Sequence, residues 1–120
     1  MGNVLIVDDE QAIGDYLARL ITHLGHETVA TVSASETLEK LDEGTYQLVI
    51  ADIRLPDAPD PLQWIKQLCE KAKGTPIVLI SGAPSTELTE YATANGVVAF
   101  LSKPFELAFI KNILLSVFQK

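Results

Sequence analysis

Apolar residues in this chain come in short unbroken runs, set between longer stretches with helical spacing. Asn3 to Val7 (NVLIV), Leu48 to Ala51 (closed by Asp52), Pro76 to Ile80 (PIVLI) and Val97 to Leu101 (VVAFL) are such runs. Continuous runs of this length, rich in β-branched residues, predict strands buried on both faces, as in parallel sheets. Glu27 to Val32 (ETVATV) predicts one more, weaker strand, second in chain order.

The stretches between them predict helices. Ile13, Leu17, Leu20, Ile21 and Leu24 share one face, and Gly25 stops that helix. Ser33 and Glu36 have capping-box spacing before a short helix that turns Leu38 and Leu41 inward and ends at Gly44. Arg54 to Pro61 (RLPDAPDP) is a loop, with Asp60 as cap and Pro61 as first residue of a helix burying Leu62, Ile65, Leu68, Cys69 and Ala72. Trp64 lies on the flank of that arc, so partial burial is expected. Ser85 caps a weak fourth helix carrying Leu88 and Ala92, and Gly96 ends it. The last helix runs from Glu106 to Phe118, with Leu107, Ile110, Leu114, Val117 and Phe118 on its core arc. Phe109 and Ile113 lie beside that arc and Leu115 well off it. Strands alternating with helices predict an α/β fold: a five-stranded parallel sheet, doubly wound, with five helices divided between its faces.

Composition narrows the function. The chain has 120 residues, read as one domain over 1–120, with 48% apolar and 21% charged content. A net charge of −7 argues against direct nucleic-acid binding. The single Cys69 forms no internal disulfide, which suits a reducing cytosol and a cytoplasmic location. No apolar run approaches the ~20 residues of a membrane span. Acidic residues directly after the first run argue against a signal peptide.

Candidate chemistry gathers at the strand ends. The first strand ends in Asp8, Asp9 and Glu10, the third in Asp52 and the fourth in Ser81, and Lys103 follows the fifth; the second ends in nothing chemically notable. Capping and dipole compensation of the first helix account for one acid of the first group, not for the rest. In a parallel sheet these ends share one edge, where open α/β folds bind ligands. Two carboxylates about 5 Å apart repel by roughly 3 kcal/mol at an effective dielectric of about 20, so three together call for a cation. Oxygen-only ligands without a full cage suit Mg²⁺, which also accepts phosphate oxygens. Asp52, ionised beside such a metal, has the character of a nucleophile for phosphoryl transfer.

VDDE at 7–10, AD at 51–52, Pro56, SG at 81–82 and SKPF at 102–105 occur in the order and spacing of a known family. On these pieces the chain resembles a two-component response-regulator receiver domain over essentially its whole length. The resemblance implies a flavodoxin-like strand order 2-1-3-4-5. It implies phosphorylation of Asp52 by the phosphohistidine of a histidine kinase or phosphotransfer protein. It implies Mg²⁺ on Asp9, Asp52 and the backbone carbonyl of Arg54, with Asp8 acting mainly through water. Ser81 and Lys103 would bind the phosphoryl group, Phe100 falls at the switch aromatic, and Lys103–Pro104 would be a cis peptide. Phosphorylation would then shift the population of two states of the face formed by the fourth helix, fifth strand and fifth helix. Receivers often dimerise through that face, so Phe109 and Ile113 are candidate interface residues. Such a protein is an enzyme only in accepting and hydrolysing its own phosphoryl group.

Two features depart from the family pattern. Asp60-Pro61 stands where Asp-Gly is usual, with one extra residue ahead of it, and position 54 is Arg. Two other functions compete with the receiver reading. A Mg²⁺-dependent phosphatase with an Asp nucleophile usually needs a second acid two residues later, where Arg54 stands. A receiver-like binding module that is never phosphorylated would not need all of the site residues.

Overall fold

The computed structural model describes residues 2–82, 85–103 and 105–118. Its elements follow in the order β1 (Asn3–Val7), α1 (Gln11–His23), β2 (Glu27–Thr31), α2 (Ala34–Glu43), β3 (Leu48–Asp52), α3 (Pro61–Ala72), β4 (Ile77–Ser81), α4 (Thr86–Ala94), β5 (Ala99–Ser102) and α5 (Leu107–Phe118). The strands form one parallel sheet in the order β2-β1-β3-β4-β5, the flavodoxin-like arrangement expected.

Every residue of β3 and β4 is buried, as continuous apolar runs in a covered parallel sheet require. Successive side chains point to opposite faces. Leu5, Val49, Ala51 and Leu79 join Trp64, Ile65 and Leu68 of α3 in one core. Ile6, Leu48, Ile50 and Ile80 join Leu17 and Ile21 of α1 and Ile110 and Leu114 of α5 in another.

The helix boundaries follow local signals. Gly25 takes a φ of 101°, open to glycine at little cost, just after α1. Asp60 accepts hydrogen bonds from the N–H groups of Leu62 and Gln63, with Pro61 opening α3. The Ser33 hydroxyl accepts from the Glu36 N–H, but the Glu36 carboxylate receives the Val32 N–H rather than that of Ser33, so only half of the capping box forms.

Several expectations need correction. β2 stops at Thr31, and Val32 is exposed. β4 starts one residue later than the apolar run, and β5 covers 99–102 rather than 97–101. Trp64 is wholly buried, not flanking. Leu62 and Cys69 are half-buried, and Leu107, the first residue of α5, is exposed. Glu10 is the N-cap residue of α1 but makes no side-chain cap, so that helix uses none of its three preceding acids in this way. Ala83 and Pro104, with the expected cis bond, lie outside the described residues.

Candidate functional site

β1 and β3 are adjacent and parallel, with Val7 paired to Ala51, so Asp8 and Asp52 emerge side by side. One carboxylate oxygen from each of Asp8, Asp9 and Asp52 lies within 4.8 Å of the others. Asp8 and Asp52 are buried and Asp9 is exposed, which opens the cluster to solvent on one side. Among the described residues this is the one group of acids, His or Cys with metal-ligand spacing.

Lys103 is the counter-charge. Its Nζ lies 2.9 Å from Asp52 Oδ2, 3.1 Å from Asp8 Oδ2 and 3.2 Å from Glu10 Oε1. Burial works to lower the pKa of Lys103, but the hydrogen bond to Asp52, then the pull of the Asp8 and Glu10 carboxylates, outweigh it and hold the ammonium charged far above neutrality. For Asp8 the balance differs. Burial pushes its carboxyl up, against a hydrogen bond from the Glu10 N–H and the pull of Lys103, with the Asp52 charge pushing it further up.

The two buried carboxylates are each oriented through one oxygen. Asp8 Oδ1 accepts from the Glu10 N–H and Asp52 Oδ1 from the Arg54 N–H, both at 2.9 Å. The remaining oxygens are turned to the cluster. Asp8 Oδ2 is buried with no hydrogen bond, because the Lys103 ammonium approaches as a charge and not in hydrogen-bonding alignment. A buried carboxylate oxygen left without a hydrogen bond is costly, and it suits a hard cation or its bound water. The residues present therefore fit Mg²⁺.

Ser81 is fully buried at the end of β4, and its carbonyl accepts the Lys103 N–H at 2.8 Å, joining two site-bearing strand ends. Phe100 is half-buried against the α3 side of the sheet, opposite Leu79 in the ladder. Arg54 is exposed beside the cluster. Phe109 is 51% exposed on α5, whereas Ile113 is half-buried against the core and offers far less surface. A cavity of about 570 Å³ lies at the opposite end of the sheet between α1 and α5, and no acid lines it.

Three site contacts had no sequence signal strong enough to single them out. Glu10 reaches Lys103. Thr31, at the strand end without notable chemistry, accepts the Asp8 N–H on its carbonyl at 3.2 Å, and its hydroxyl bonds the Ile6 carbonyl. Trp64 reaches the Asp52 backbone. The sequence placed Trp64 only on the flank of the α3 core arc.

Residues 4–115 match the family model described as the response regulator receiver domain. The chain belongs to that family. Similar curated proteins include the transcriptional regulatory protein GlrR of Escherichia coli, 30% identical over 104 residues, covering 87% of this chain and 23% of that protein. The sensory/regulatory protein RpfC of Xanthomonas campestris pv. campestris is 31% identical over 115 residues, 92% of this chain and 16% of that protein. The chain thus spans less than a quarter of these relatives. Among solved structures, a CheY-like receiver domain from Methanospirillum hungatei shares the fold at a TM-score of 0.88 and 24% identity, over 98% of this chain and 94% of that one. The beryllofluoride-activated NtrC4 receiver domain dimer gives a TM-score of 0.87 at 25% identity, over 98% and 96%. No helix among the described residues of this receiver domain is long and apolar enough to cross a membrane.

Proposed function

We propose that this receiver accepts a phosphoryl group on Asp52 from the phosphohistidine of a histidine kinase or phosphotransfer protein, in a Mg²⁺-dependent reaction in the cytoplasm. The observation that carries this reading is the division of labour on Asp52. Oδ1 is held by the Arg54 N–H, while Oδ2 meets the Lys103 ammonium 2.9 Å away. A carboxylate with one oxygen fixed and the other facing a cation is oriented for attack on phosphorus.

In the proposed transfer, an Asp52 oxygen forms the new bond to phosphorus as the phosphorus–nitrogen bond to the donor histidine breaks. The imidazole leaves with the electron pair. Lys103 turns from Asp52 to neutralise a phosphoryl oxygen, and Ser81 donates its hydroxyl to another. Asp9, Asp52 and the Arg54 carbonyl would hold Mg²⁺, with Asp8 through water, and the ion would neutralise phosphoryl charge. Hydrolysis returns the carboxylate by attack of water on phosphorus. Ser81 and Phe100 couple the phosphorylated state to the α4–β5–α5 face, which we propose self-associates around Phe109. Arg54, standing where a phosphatase of the Asp class has its second acid, favours this reading over that enzyme.

Intact-protein mass spectrometry after incubation with acetyl phosphate and Mg²⁺ tests it. The wild type gains one phosphoryl group and Asp52→Asn gains none; equal uptake by both would remove Asp52 from its role.

A further inference from the structure

Between β3 and α3 the chain makes a tight turn over Leu55-Pro56-Asp57-Ala58, closed by the Ala58 N–H on the Leu55 carbonyl at 3.0 Å. Leu55 is buried, and proline presets the backbone at the second position of such a turn. Asp57 then stands at the tip. Its Oδ1 accepts the Ala34 N–H at 2.9 Å and its Oδ2 the Ser35 N–H at 3.0 Å. These are the first two amides of α2, and the third, of Glu36, goes to the Ser33 hydroxyl. The paired bonds from Ala34 and Ser35 hold the Asp57 carboxyl below its ordinary range. An anion at a helix N-terminus also gains from the helix dipole.

The α2 end of this contact is itself anchored. Ala34 and Thr37 are buried, and the Thr37 hydroxyl lies 2.7 Å from that of Thr31 in β2. A helix already capped by Ser33 does not need a second cap from a residue 22 and 23 positions away. The loop gains more, because it has no regular structure of its own beyond the turn. At its near end the Arg54 N–H is fixed on Asp52 Oδ1. At its far end Asp57 is fixed on α2. The Arg54 carbonyl lies in the segment between the two.

We propose that Asp57 is a positioning residue for the metal site: by clamping the β3–α3 loop to the N-terminus of α2, it holds the Arg54 backbone where its carbonyl serves as a ligand. The inference rests on the Mg²⁺-binding reading above. Residues that orient ligands from behind affect metal affinity although they never touch the ion.

Mg²⁺ affinity by titration calorimetry, with amide hydrogen exchange on the same samples, tests the clamp. A salt concentration of about 0.15 M screens the loss of a distant charge. Asp57→Ala is expected to raise the Mg²⁺ dissociation constant about tenfold and to free the Ala34 and Ser35 amides to exchange. Asp57→Asn, which keeps one acceptor oxygen, falls between, and it carries the comparison if the alanine variant does not fold. Ser33→Ala removes the other cap of α2 and leaves Mg²⁺ affinity unchanged. Wild-type affinity in Asp57→Ala, with both amides exposed, would reduce Asp57 to a helix cap and overturn the proposal. An equal loss in Ser33→Ala would overturn it too, since α2 stability would then be the cause. If the wild type takes up no Mg²⁺, the metal reading fails first and the clamp falls with it.

Discussion

The indole N–H of Trp64 donates to the backbone carbonyl of Asp52 across 3.0 Å, inside a core where Trp64 is fully buried. The only tryptophan of the chain is thereby bonded to the residue proposed to take the phosphoryl group. Trp64→Phe keeps an aromatic ring but strands a buried carbonyl, and should destabilise the fold by about 1–3 kcal/mol in urea denaturation. In the wild type, Trp64 emission should change on adding Mg²⁺ and again on adding beryllofluoride. Emission indifferent to both would mean that the indole does not sense the site.

Asp8→Asn is expected to act in opposite directions with and without metal. Burial already disfavours the charged form of Asp8, with the Asp52 charge adding to it. Without metal, removing that charge should therefore raise the melting temperature. Mg²⁺ stabilises the fold by binding its folded form, and the variant should lose much of that increment. A variant less stable than wild type without Mg²⁺ would show that the pairing with Lys103 dominates over burial.

His26 predicts a pH dependence remote from the site. Its ring stacks on Phe118 with centroids 4.3 Å apart, and its Nδ1 accepts the Gly2 N–H at 3.3 Å. Burial lowers its pKa below 6.5. The unfolded chain then binds the proton first on acidification, so the contribution of neutral His26 is complete above pH 6.5 and is lost as pH falls through the folded value. Denaturation midpoints across the mildly acid range should fall more for wild type than for His26→Phe, which keeps the stacking and cannot titrate. Parallel curves would contradict this.

The two α5 residues first paired as an interface should separate on substitution. Phe109→Ser alters an exposed residue, so stability should change by less than about 0.5 kcal/mol. Light scattering with beryllofluoride should show reduced self-association. Ile113→Ser removes a half-buried apolar side chain from the α1–α5 core and should cost about 1–3 kcal/mol. A wild type that stays monomeric with beryllofluoride would exclude self-association through this face.

The strands and the acid-bearing ends were legible because buried parallel strands leave unbroken apolar runs, and the acids stop those runs. Asp8 and Asp52 meet because the sheet order makes β1 and β3 neighbours, and Lys103 spans the width of β4 with its long side chain to reach both. Trp64 was misjudged because its burial depends on packing against β3, where the indole bonds the Asp52 carbonyl, not on its angle around α3. Leu107 was misjudged for the converse reason: it has a core angle but lies at the first position of α5, where it stays exposed. The Asp57 clamp joins residues more than twenty positions apart with no spacing rule between them. The Pro-Asp turn was visible in the sequence, and its partner was not.

The sheet also acts as a partition. Ile65 and Ile110 sit in separate cores on its two sides, while Ile50 and Ile110 share one. Truncating Ile65 and Ile110 together should therefore cost close to the sum of the separate losses, and truncating Ile50 and Ile110 together should not. The side bearing α1 and α5 can then drift in sequence without disturbing the side on which Trp64 supports Asp52. A protein built this way can change its partners on one face and keep its chemistry on the other.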